Sequence, residues 1–105
     1  MPMTDADLFR LLADPTRRAL FERLSAAEMT VSDLKAGFTI SQPAISQHLA
    51  ALKGAGLVRE RREGRFSYYR ADPAALTPLV EWIDRYRAFW PERLERLKDV
   101  IARMD

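Results

Sequence analysis

The sequence contains no cysteine and a single histidine, His48, in 105 residues. The first absence removes disulfides, thiol redox switching, thiolate metal sites and a cysteine nucleophile together. The second leaves no imidazole pair, and one histidine without neighbouring ligands is not a metal site. Long apolar runs are missing as well, so no membrane-spanning segment is expected. The start, MPMTDADL, has neither the basic nor the apolar region of a signal peptide, which makes the cytoplasm the expected compartment. Glycine is scarce, with four in all, and no glycine-rich phosphate loop or GxSxG nucleophile elbow occurs. Carboxylates such as Glu92, Glu95 and Asp99 fall at helical positions matched by arginines, the pattern of solvated ion pairs. Catalysis is not expected, and no cofactor is implied. Internal repeats, low-complexity tracts and Gly-, Ser- or Pro-rich linkers are also absent, so residues 1–105 read as one domain.

What is present suits a small folded domain: 48% of the residues are apolar and 30% are charged. The net charge of +2 says little about partners. Its distribution says more. Residues 1–40 sum to −1 and residues 81–105 to zero, whereas residues 57–70 hold five arginines against two glutamates.

Local signals divide the chain into elements. Leu8, Leu11 and Leu12 recur at helical spacing after Thr4 and Asp5. Asp14-Pro15 combines a good N-cap with proline at the first helical position, predicting a second helix to about Ala26 with Leu20, Phe21 and Leu24 inward. Thr30 with Asp33 resembles a capping box and starts a short third helix that buries Val31 and Leu34. Ser41 caps a fourth helix that ends at the Gly54/Gly56 pair. LVRERR and RFSYYRA, joined around Glu63-Gly64, predict a β-hairpin. Beyond Asp72-Pro73 a helical seam runs through Ile83, Tyr86, Trp90, Leu94, Leu97, Ile101 and Met104, with Pro91 kinking or splitting it. The expected fold is mainly α with a two-stranded β-wing, in the order helix-helix-helix-helix-hairpin-helix.

The fourth helix, SQPAISQHLAALKGAGLV in its sequence context, carries almost no charge on its outer face. With Ile45, Leu49 and Leu52 inward, Pro43 and Gln47 lie near the opposite side, and Gln42, Ser46 and His48 lie on the flanks. Glutamine can bond an adenine edge bidentately, serine can donate or accept, and the small Ala44 and Ala51 permit close approach. A solvated amphipathic helix is the plainer account of such a face. Context favours a DNA groove, because a short helix, a turn and a second helix form a helix-turn-helix unit followed by a basic hairpin. Arg59, Arg61, Arg62 and Arg65 can reach phosphates or a minor groove from there. For His48, packing beside Leu52 competes evenly with a contact to DNA. The alternative class, a winged helix that binds protein, calls for apolar anchors on that face and fewer arginines on the hairpin.

LADPTRRALFERL, TVSDL, SQPAISQHLAALKGAGLV and REGRFSYYR, in this order, resemble the arsenic-repressor (ArsR) family over roughly residues 8–71. The resemblance implies winged helix-turn-helix homodimers that act as transcription factors, usually repressors, with the first and last helices at the dimer interface. It implies a DNA-facing role for Ser41, Gln42, Pro43, Ser46, Gln47 and His48, and a wing role for Arg62, Gly64 and Arg65. It further implies an interface drawn from Leu8, Leu11, Leu12, Trp82, Ile83, Tyr86, Trp90, Leu94, Leu97 and Ile101, with residues 74–105 as the dimerisation helix. Double-stranded DNA, as an inverted repeat, is the implied partner. Metal-sensing members carry cysteines where Thr30 and Ser32 stand, and the family's alternative site needs histidines that residues 74–105 lack. No metal site is therefore expected, and Thr30 with Asp33 reads as a helix cap. The signal is left open between a small organic molecule, for which the cluster around Trp82, Tyr86 and Trp90 is the candidate pocket, a protein partner, and no effector at all, the protein's own concentration setting repression.

Overall fold

The computed structural model describes residues 3–87 and 91–103. Four helices come first: α1 (Asp5–Leu12), α2 (Pro15–Ala26), α3 (Val31–Lys35) and α4 (Gln42–Gly54). An antiparallel hairpin follows, β1 (Val58–Glu63) with β2 (Phe66–Ala71), then a 3-10 turn (Pro73–Leu76), α5 (Thr77–Arg85) and α6 (Pro91–Arg103). This is a winged helix-turn-helix arrangement. Of the two outcomes expected at Pro91, a kink or a split, the seam shows the split: α5 ends at Arg85 and Pro91 begins α6.

Side-chain caps set the starts of the first helices. Thr4 with Asp7 and Thr30 with Asp33 each form a reciprocal capping box, with aspartate doing what glutamate usually does. Asp14 accepts from the amides of Thr16 and Arg17 ahead of α2, and Ser41 Oγ accepts from the Ala44 amide at 3.3 Å ahead of α4. The end of α4 is a Schellman motif. The Leu57 amide reaches Leu52 O, the Gly56 amide reaches Lys53 O, both at 3.0 Å, and Gly56 takes the required left-handed φ of 79°. Leu52 and Leu57 are both fully buried and supply the apolar contact that accompanies this motif.

The core is built from Leu8, Leu20, Leu24, Leu34, Ile45, Leu49, Leu52, Leu57 and Val58, with the half-buried Phe21, Val31 and Tyr69 packed around it. Every helix of the first half thus contributes its predicted apolar stripe, and α4 is clamped from within by Ile45, Leu49 and Leu52. Met29, just before α3, exchanges two backbone hydrogen bonds with Tyr69 at 2.8 and 2.9 Å, adding a one-residue third strand to β2. That bridge ties the hairpin to the helix-turn-helix. Arg23 fastens the end of α3, donating to Leu34 O at 3.3 Å with its guanidinium over the Phe38 ring.

Leu8, expected at a subunit face, packs inside the chain itself. Its side chain is 0% exposed and belongs to the chain's own core, while Leu11 and Leu12 are half-buried against it. Outward on the same helix stands Phe9, 43% exposed and edge-on to Trp82 of α5, whose ring in turn meets Tyr86. Of the seam residues, Ile83, Tyr86, Leu97 and Ile101 are exposed. Trp90, Met104 and the Leu94 side chain lie outside the described residues.

Candidate nucleic-acid interface

Because α4 is held by one buried stripe, its opposite face is fixed in direction. Ser41, Gln42, Pro43, Ser46 and Gln47 are all exposed there. None of the five carries charge, and their side chains are short or uncharged hydrogen-bonding groups, as a helix entering a groove requires. Ser41 spends an oxygen lone pair on its cap, which leaves the hydroxyl proton free to donate. Pro43, in the first turn, removes an amide that has no intrahelical partner. His48 differs from its neighbours. It is half-buried, and its Nδ1 accepts from Arg17 Nε at 3.3 Å. It therefore links α2 to α4, with the ring nitrogen facing Arg17 unprotonated.

The hairpin turns on Gly64 and Arg65, with Gly64 at φ 61° and Arg65 at negative φ. Glycine at the first of two central positions marks a type II′ turn, matched to the strand twist. Opposed residues share a face: Val58, Glu60 and Arg62 stand on one side with Ala71, Tyr69 and Ser67, and Arg59, Arg61 and Glu63 on the other with Arg70, Tyr68 and Phe66. The first face packs towards α4. Lys53 donates to Glu60 at 2.7 Å and the Tyr69 hydroxyl donates to the same carboxylate at 3.2 Å. Lys53 first, then Ser67 and Tyr69, hold the Glu60 carboxyl down at about 2, while partial burial alone works against this.

The four wing arginines divide into two pairs. Arg59 donates to Asp72 at 2.7 Å, and Arg61 bonds Glu28 at 2.6 Å and Glu63 at 2.7 Å while lying over the Tyr68 ring. These two brace the hairpin root, and their hydrogen bonds first, then their charge, keep the Glu28 and Asp72 carboxyls below the usual range. Arg62 and Arg65 have no carboxylate within salt-bridge distance among the described residues. Strand alternation and a two-residue turn put them near the tip, where Glu63 is already engaged by Arg61. Two further residues join them that the sequence did not mark as site candidates. Phe66, at the tip, is 61% exposed, and Arg70, opposite Arg59, is an exposed cation with no ion pair among the described residues. Phe66 was legible only as a β-former; its exposure depends on which face of the hairpin meets the core.

Among the described residues no three His, Cys, Asp or Glu side chains group as a metal site. Thr30 Oγ1 accepts from the Asp33 amide and Asp33 Oδ2 accepts from the Thr30 amide, both at 3.1 Å. Thr30 and Asp33, the oxygen donors that open the TVSDL helix, are thus occupied in capping.

Residues 12–61 match the family model described as "Helix-turn-helix domain". The chain is 36% identical over 77 residues to the transcriptional repressor SdpR of Bacillus subtilis (strain 168), covering 73% of this chain and 86% of that protein. It is 34% identical to the arsenical resistance operon repressor of Escherichia coli (strain K12), covering 93% of this chain and 85% of that one. The solved structure of an ArsR-like transcriptional regulator from Rhodococcus sp. RHA1 superposes with a TM-score of 0.74 at 34% identity, covering 95% of this chain and 92% of that chain.

The chain belongs to the ArsR family. It is a DNA-binding transcriptional regulator, and the family is one of regulators rather than enzymes. Its winged helix carries an exposed, uncharged helix face and a hairpin whose Arg62 and Arg65 have no ion pair among the described residues. No helix among the described residues is long and apolar enough to cross a membrane.

Proposed function

We propose that this ArsR-family regulator is a cytoplasmic, homodimeric repressor that reads an inverted-repeat operator without a metal cofactor. The observation that carries the reading is the exposed, uncharged face of α4, anchored from below by three fully or almost fully buried side chains. In this reading Gln42, Ser46 and Gln47 contact base edges, Ser41 and Pro43 allow the helix N-terminus to approach phosphate, and His48 holds α4 to α2 at the edge of the contact. Arg62 and Arg65 neutralise phosphates, or enter the minor groove with Phe66 packed alongside. Arg59 and Arg61 act mainly by fixing the angle of the wing, since their charges are already matched.

Residues 1–105 act as one winged-helix unit in which residues 74–105 serve dimerisation. The exposed apolar row Val80, Ile83, Tyr86, Leu97, Val100 and Ile101, continued by Phe9 of α1, is the surface that a second copy would cover. A twofold axis through it would set the two α4 helices roughly 34 Å apart, one turn of DNA. The occupied cap at Thr30 and Asp33 supports a sensor without metal. The relative named for arsenical resistance is similar in sequence, but that name describes its own response.

The decisive experiment measures binding to the DNA upstream of the coding sequence and to random DNA at two salt concentrations, with Gln47→Ala beside the wild type. Preference for the upstream site, a steep fall with salt and a loss of about 1–3 kcal/mol in Gln47→Ala are the expected results. Equal weak binding to both DNAs would overturn the reading and favour a protein partner.

A further inference from the structure

A groove of about 530 Å³ lies between α1, the start of α2 and the C-terminal half of α4, away from the aromatic cluster of α5. Leu11, Ala50, Ala51 and Gly54 give it an apolar or side-chain-free lining, to which Arg10 and Arg17 add two cationic side chains. Neither arginine has a carboxylate within salt-bridge distance among the described residues. The carboxylate of Asp7 at the rim is committed to the α1 cap, accepting from Thr4 N at 3.1 Å and Thr4 Oγ1 at 2.9 Å. Two positive groups against one occupied acid leave the groove net positive.

Gly54 is an unusual member of this lining. It is helical, it does not have the positive φ of Gly56, and a Cβ built on it meets nothing within 4 Å. Backbone geometry therefore does not require glycine there, although glycine weakens a helix relative to alanine. What its missing side chain does is keep the groove open.

We propose that this groove binds a small organic acid, a carboxylate with a short apolar body, as an effector that lowers DNA affinity. The volume is in the range of small-ligand sites, and guanidiniums are matched to carboxylates while the alanine, glycine and leucine lining takes an apolar body. The sign of the regulation follows from position. Gly54 is seven residues, and Ala50 three residues, beyond Gln47, so both lie on the face of α4 that carries Gln47, within about 60° of it. An anion seated there repels the approaching phosphate backbone, and the duplex in turn disfavours the anion, as linkage demands. Arg17 couples the site further, because the same side chain donates to His48 on α4. This regulatory claim rests on the proposed DNA reading; ligand binding itself does not.

Calorimetry on the full chain without DNA separates the two. Sodium hexanoate is the probe, with hexanamide and inorganic phosphate as the uncharged and the non-organic controls. Wild type should bind hexanoate, and both controls should bind at least about tenfold more weakly. Gly54→Leu, which fills the groove on an unstrained helical backbone, and Arg10→Gln, at an exposed position, should each weaken hexanoate by about tenfold or more. Thermal melts of both variants establish that they fold. Phosphate binding as tight as hexanoate, or hexanoate binding unchanged in both variants, would overturn the site. So would an absence of hexanoate binding to wild type; weaker DNA binding by Arg10→Gln would then assign the arginines to the DNA backbone. In a DNA titration, saturating hexanoate should weaken wild type and leave the affinity of Gly54→Leu at its own starting value. Unchanged wild-type affinity would overturn the effector role, whereas failure to bind DNA under any condition would count against the DNA reading alone.

Discussion

At the scale of the residue, the arginines of the wing show how little a charge count says before partners are known. Arg59, Arg61, Arg62 and Arg65 are equivalent in the sequence, yet Asp72, Glu28 and Glu63 take up the first two and leave the others free among the described residues. Arg62→Ala should weaken DNA binding at all sequences and lower the slope of log affinity against log salt by about 1 for each phosphate no longer neutralised. Arg59→Ala, removing a charge already matched, should change that slope less; equal slopes for the two variants would sink the distinction. Glu60 gives a second residue-scale test. Its folded pKa, about 2, lies below the ordinary carboxylate value of 4.5, so the stabilisation it contributes is present above about pH 4.5 and fades as pH falls towards 2. Urea midpoints measured from pH 6 down to pH 3 should therefore fall further for wild type than for Glu60→Gln, which has no proton to take up at that position.

At the scale of the element, capping chemistry explains why boundaries in the first half were readable. Asp14-Pro15, Thr30 with Asp33, and Ser41 each satisfy amides that a helix start leaves without partners, and each does so within three residues along the chain. The two glycines that close α4 look alike in sequence but differ in backbone. Gly56→Ala, forced to φ near 79°, should cost about 1 kcal/mol, while Gly54→Ala should leave the melting temperature unchanged or raised. A Gly54→Ala protein as damaged as Gly56→Ala would show that the Schellman turn is misplaced. The Met29 bridge to Tyr69 was not legible. A single residue in extended conformation has no periodicity, and its partner lies far along the chain.

At the scale of the whole molecule, the outstanding feature is unpartnered apolar surface. The radius of gyration is 16.9 Å, against about 13 Å for a compact chain of this length. Helix α6 accounts for this, since every side chain described along it is exposed. Its apolar residues repeat at helical spacing, which an isolated helix in water has no reason to keep. Ile101→Asp should therefore give a monomer near 12.1 kDa by light scattering at concentrations where wild type runs at twice that mass. It should also lose operator binding while keeping the helical signal of the body. A wild-type protein that is monomeric under the same conditions would remove the dimer from the proposal.

The sequence by itself determined what depends on near neighbours along the chain: the helix starts, the hairpin and its glycine turn, the inward stripes of α2 and α4, and the uncharged outer face of α4. The absence of cysteine, with one histidine, settled in the same way which ligand chemistry is missing. Tertiary structure decided what depends on residues far apart in sequence. It buried Leu8 and exposed Phe9, joined His48 to Arg17 across 31 positions, and matched Arg61 with Glu28 across 33. It also opened the groove at Gly54. Packing, ion pairing and cavity shape are sums over distant groups, whose distances no local pattern encodes until the core has brought the helices together.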